Sequence, residues 1–189
     1  MVPSEAGDTV ALITVARNTA RGWKVAVGEL SPDHDSFLIA QLLTPGIQAS
    51  HWAATVFDPP RSDTGYFVLA GRAVTTALEM FRPAVARPYT ATVVPSEDGP
   101  GWWVYCYPSP ATDGSWPRGG DMRFRVSADG RVITESRHLH EAIADYDAPE
   151  DTDVFHVIQR RPASPELMTA GRYLYRIDVD GRILLLGTR

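Results

Sequence analysis

Apolar positions return along this chain at two spacings, and each spacing marks a different kind of element. From Tyr66 to Phe81 they recur every three or four residues, at Phe67, Ala70, Val74, Ala77, Leu78 and Phe81. That is one face of a helix, and Pro83 ends it because proline cannot continue the turn. Elsewhere the period is two. Thr9–Ala16 and Trp23–Leu30 are rich in β-branched residues and, joined across Arg17–Gly22, predict a hairpin. A helix from an Asp8 cap to Gly22, with Val10, Ile13 and Ala20 on one face, is the alternative. Ser36–Leu43 is a short apolar element that stops at Thr44-Pro45-Gly46. Tyr89–Val94 and Trp102–Tyr107 read as strands around the turn-rich Ser96–Gly101, and Pro108–Gly120 reads as a loop.

Two later stretches share one pattern: aromatic, Arg, β-branched, two residues, Asp-Gly-Arg, two apolar. They are Phe124–Ile133 and Tyr175–Leu184. Asp-Gly between alternating strands is a strong hairpin signal, because a two-residue turn needs φ > 0 at both central positions. With Asp129-Gly130 as such a turn, Val126 faces Ile133 and Phe124 faces Glu135. Met122, Phe124, Val126 and Ile133 then line the core face. Arg123, Arg125, Ser127, Thr134, Ser136 and His138 line the other, while Glu135 and Arg137 fall on the apolar side. In the second hairpin Ile177, Tyr175, Leu184 and Leu186 share a face, opposite Leu185 and Ile183.

These elements predict an α+β fold: a mainly antiparallel β-sheet with one principal helix packed on a face. Asp58–Gly65, with its two prolines and Gly, reads as a connector between an N-terminal region (1–57) and a body (66–189), although 189 residues also suit a single domain.

Composition narrows the function classes. A 44% apolar and 22% charged chain buries a core without disulfides, and the single Cys106 permits no internal bridge. A net charge of −5 argues against nucleic acid as partner. No apolar run is long enough to span a bilayer, and the first eight residues lack the basic start of an export leader. A cytoplasmic protein is expected as the chain is given, with export of a longer precursor left open. Of 18 basic residues only Lys24 is Lys, a bias expected of a GC-rich bacterial genome.

The candidate chemistry is sparse. Trp102, Trp103, Tyr105, Tyr107 and Trp116 put five aromatics in fifteen residues, and Trp103, Tyr105 and Tyr107 share a strand face. They form either a stacking platform or a core face under the helix. Trp116, in a long loop, is expected to meet a ligand or partner rather than the core. His138-x-His140, with His156 as a third ligand, is the one arrangement resembling a zinc site, and solvent-facing histidines are the favoured reading. A helix beginning near Leu139 would separate those two rings. Asp145–Asp153 holds five carboxylates in nine residues without the Gly and Glu of a calcium loop, and reads as a solvated acidic loop. Cys106, among aromatics, reads as a small buried thiol. No phosphate-binding glycine loop and no G-x-S-x-G elbow occurs. Two guanidiniums, Arg123 and Arg125, on one side of a strand need a carboxylate or a bound anion between them, and the acidic loop is one internal source.

Between Arg87 and about Val157 the chain resembles a set of uncharacterised bacterial proteins, some of which carry export leaders. The shared residues are Pro88-Tyr89-x-Ala91-x-Val93-Val94-Pro95, Trp103-x-Tyr105-x-Tyr107-Pro108, Gly119-Gly120-Asp121-x-Arg123-Phe124, Val126-Ser127-Ala128-Asp129-Gly130, Leu139-His140 and Thr152-x-x-x-His156-Val157. The resemblance implies a sheet-plus-helix domain, nominates Asp121, Arg123, His140 and His156, and supplies no reaction. The expected function is therefore a non-catalytic binding or interaction module for a small anion or a protein, without a cofactor. The alternatives are a metal-assisted hydrolase using the His-x-His pair and a small acidic immunity or inhibitor protein for a basic partner.

Overall fold

The computed structural model describes residues 12–20, 22–45, 52–83, 85–96, 98–109 and 115–139, with further strands at 143–147, 154–159, 166–170, 173–177 and 183–188. The first half is a meander of β1 (Ile13–Thr19), β2 (Gly22–Leu30), β3 (Phe37–Pro45) and β4 (Trp52–Asp63), paired in that order and antiparallel throughout. The N-terminal hairpin is therefore what forms, and the helical alternative does not. Val15 and Ala26 pair across it and are fully buried, the reward for alternation of period two.

The Asp58–Gly65 connector is not one: through Asp63 it is strand. Among the described residues β4 is an edge strand paired only to β3, so it bears two prolines where a missing amide on the other side loses no ladder bond. The prolines sit in a wide bulge, where residues 57–60 lie opposite the single Ala40, and the Asp58-Pro59 bond is cis.

The helix follows at once as α1 (Tyr66–Met80). The Asp63 carboxylate at the end of β4 starts it, accepting from the Gly65 and Phe67 amides at 3.1 and 3.0 Å. Arg82 closes it by donating to the Glu79 and Phe81 carbonyls, both at 2.9 Å. The predicted stripe is buried except Leu78, and Val68, Gly71 and Ala73 are buried as well. The buried arc is wider than one stripe because α1 packs against two sheets at once.

The second sheet has the order β5-β6-β8-β9 and is antiparallel: β5 (Tyr89–Pro95), β6 (Trp102–Pro108), β8 (Met122–Val126) and β9 (Ile133–His138). Between β6 and β8 runs β7 (Ser115–Gly119), which pairs with β10 (Ile143–Asp147). The second half of the expected Pro108–Gly120 loop is thus strand, as are the first residues of the expected acidic loop. A strand also occupies the position where a helix from Leu139 would have continued. The last four strands, β11 (Val154–Gln159), β12 (Glu166–Ala170), β13 (Tyr173–Ile177) and β14 (Ile183–Thr188), form a third antiparallel meander. The α+β class with mainly antiparallel sheet is what the structure shows. No helix among the described residues is long and apolar enough to cross a membrane.

One hydrophobic cluster joins Val15, Phe37 and Ile39 of the first sheet, α1, and Val104, Phe124 and Val126 of the second. Residues on both sides of Asp58–Gly65 thus share a core. Edge-to-face rings knit it, with Tyr66–Trp102 centroids 5.1 Å apart and Phe81–Tyr89 4.8 Å.

Two turns against α1 are built alike. In Ser31–Ser36 and Ser127–Val132 the first amide donates to the last carbonyl at 2.9 and 2.8 Å. In both, the serine hydroxyl donates to the Asp two residues on and accepts from the last amide. The fourth residue takes positive φ, 59° at His34 and 77° at Gly130. The Asp129-Gly130 turn is therefore longer than two residues, with positive φ at Gly130 only. Arg72 ties the two turns together: it donates to the His34 carbonyl at 2.5 Å and meets Asp35 at 2.9 Å, while Arg131 meets the same carboxylate at 3.2 Å.

Candidate binding face on the second sheet

The β8–β9 register decides what the second sheet presents. Val126 faces Ile133 as expected, but a bulge follows, and Arg125 faces Glu135 while Phe124 faces Ser136. A slip of one residue exchanges the faces of everything beyond it. Glu135 and Arg137 therefore stand with Arg123 and Arg125, and Ser136 and His138 stand on the Phe124 side. The same correction applies to the last hairpin, where Ile177 pairs with Ile183 and Tyr175 with Leu185. The Asp180-Gly181 turn itself lies outside the described residues.

Pairing with β6 completes the face turned away from the core. Trp103 lies opposite Arg125, and Tyr105 opposite Arg123. Of the aromatic strand, Trp102, Val104 and Cys106 point into the core and Trp103, Tyr105 and Tyr107 alternate outward. On that outward side Tyr105 is nonetheless buried, at 7% exposure, and Trp103 and Tyr107 are half-buried. The Arg123 guanidinium stacks 4.1 Å from the Trp103 ring centroid and that of Arg125 lies 5.0 Å from it.

Arg123 is 8% exposed and its charge is met by Glu135 at 2.8 Å. The neighbouring strand thus supplies a carboxylate to Arg123, and the side chains of the acidic loop Asp145–Asp153 lie outside the described residues. Arg125 is held differently. Its Nη2 reaches the Gly99 and Pro100 carbonyls at 3.4 and 3.3 Å, and its buried Nη1 has no hydrogen-bond partner among the described residues. Tyr107 shares a 2.8 Å bond with Thr92, and burial pushes its phenol above the ordinary range.

The other expected site residues are dispersed. Asp121 precedes β8, where its carbonyl accepts from the Leu139 amide at 3.0 Å. His138 is exposed on β9, opposite Met122 and on the other face from Arg123. It therefore does not join the arginines. His140 lies outside the described residues. His156 pairs with Thr169 on β11, and Trp116 with Tyr146 on β7, where only the backbone is described. No group of three metal-ligating side chains occurs among the described residues. Burial pushes the Cys106 thiol up to about 12, so it stays protonated and unreactive at neutral pH.

Sequence reasoning found Arg123, Arg125 and Trp103 but did not join them, because which strand lies beside β6 is a long-range fact. It missed the role of Glu135 because nothing in Ile133-Thr134-Glu135 announces a bulge. Comparison of the chain with protein-family models, with curated proteins and with solved structures finds no match.

Proposed function

We propose that the chain is a non-catalytic binding protein whose ligand presents an anionic group, carboxylate or phosphate, to the outer face of β5-β6-β8-β9. The observation that carries this reading is the unpartnered Nη1 of Arg125 beside Trp103. A guanidinium offers five donors, and a buried donor left unmade is destabilising by about 1–3 kcal/mol. An oxyanion supplies the missing acceptors as a bidentate pair. Arg125 is only half-buried, so a modest rotation turns its fork toward an incoming oxygen. The Trp103 ring backs a flat part of the same ligand. Arg123, already held by Glu135, serves as the fixed wall.

Thermal shift with inorganic phosphate and with acetate, each against chloride at matched ionic strength, tests this and separates the two anion classes. One of them should raise the melting temperature of the wild type and leave Arg125→Ala unmoved. Arg125→Ala should itself be close to neutral for stability, whereas Arg123→Ala should lower the melting temperature. Stabilisation that survives in Arg125→Ala, or a wild type indifferent to both anions, would refute the assignment.

A further inference from the structure

Part of the outer face of the first sheet, bordered by Glu29 opposite Leu38, is also apolar. Its inner face, with Val15, Ala26 and Phe37, packs on α1. On the outer face Val25 pairs with Leu43, Val27 with Gln41 and Gln41 with Val56, and Trp52 opens β4. Trp23 stands at the same end as Trp52. Trp23 is 49% exposed, Trp52 53% and Val56 72%. From β1 to β4 the outward positions of these rows carry no charged side chain, in a protein whose charged fraction is 22%.

We propose that this face is the interface between two copies of the chain, packed sheet on sheet. Three observations select a second copy as the occupant. First, an uncharged plate cannot select a charged partner, but it is complementary to itself, and aligned sheets stack with apolar side chains interdigitated. Second, the size suits it. Four strands about 4.8 Å apart and three outward rows about 6.7 Å apart make a plate of about 400 Å², beyond the scattered apolar residues of an ordinary surface. Two such plates, with the relief of their side chains, reach the roughly 1,000 Å² that a specific interface needs. Third, the patch runs to the open edge of β4, whose residues 52–56 are exposed and uncharged. An apolar edge left bare is a site of association. The inference is independent of the anion face, which lies on the other sheet.

Sedimentation equilibrium on the full chain is the test, with Val56→Glu as the probe and Val132→Glu as the control. Val132 is 55% exposed but lies off this face, after the Ser127–Val132 turn begins to close on β9. The wild type and Val132→Glu should sediment at twice the monomer mass. Val56→Glu should raise the dissociation constant about a hundredfold or more, the effect of an unpaired charge buried at an interface. Should Val56→Glu not fold, Trp emission answers instead: Trp23 and Trp52 should shift to the red as the wild type is diluted. A wild type that is monomeric at every concentration, with Trp emission independent of dilution, overturns the proposal, and so does a dimer that Val56→Glu leaves intact. Coverage of the face by another segment of the same chain would give the first of these results.

Discussion

At the scale of single residues, Gly130 shows how closely the turns fit the helix. A Cβ there would lie 2.5 Å from the Leu69 carbonyl oxygen and 2.7 Å from the Arg72 Cβ, and the φ of 77° already disfavours any side chain. Gly130→Ala should therefore lower stability by about 1–3 kcal/mol, read from chemical denaturation. A variant as stable as the wild type would show that the turn does not rest on α1. The Asp-Gly pair was legible from sequence because glycine is the one residue that takes this φ freely. His34, the matching position of the Ser31–Ser36 turn, was not, because nothing about a histidine announces a left-handed backbone. The same asymmetry holds in the candidate site. Arg123 and Arg125 were placed on one side by the alternation of β8 itself. Glu135 was misplaced because the inserted residue is an ordinary threonine.

At the scale of elements, α1 and the core strands β5, β6 and β8 were readable because period and burial agree in them. β4 and β7 were not, because both contain proline and carry turn-forming residues, which is the composition of a loop. What makes them strands is a neighbour: β3 for β4, and β10 for β7. Local propensity is weaker than such pairing. The junction between β4 and α1 also gives a measurable quantity. Asp63 caps the helix from outside it, so Asp63→Ala should destabilise by about 1 kcal/mol, and Asp63→Asn, which keeps the acceptor oxygen, by less. Equal losses for the two variants would mean that the carboxylate charge, and not its bonds to the Gly65 and Phe67 amides, starts the helix.

At the scale of the whole molecule, both sheets and α1 draw on one core, and Cys106 at its centre is a reporter of that unity. Its thiol is buried and held protonated by desolvation to about 12, so an alkylating reagent should reach it only when the core opens. The rate of labelling across a denaturant series should track global unfolding measured by circular dichroism. Fast labelling of the folded protein would reveal a local opening of the second sheet that leaves the first intact. The order of the elements along the chain has a further consequence during synthesis. β1–β4 leave the ribosome before α1, as a sheet with two greasy sides whose inner one has no helix yet to cover it. The inner side waits for α1, whose last core residue is Ala77, and the outer side, on the dimer proposed above, waits for another molecule. For that interval the nascent chain is a natural client for whatever holds apolar strands apart, and the speed with which α1 follows Asp63 decides how long the exposure lasts.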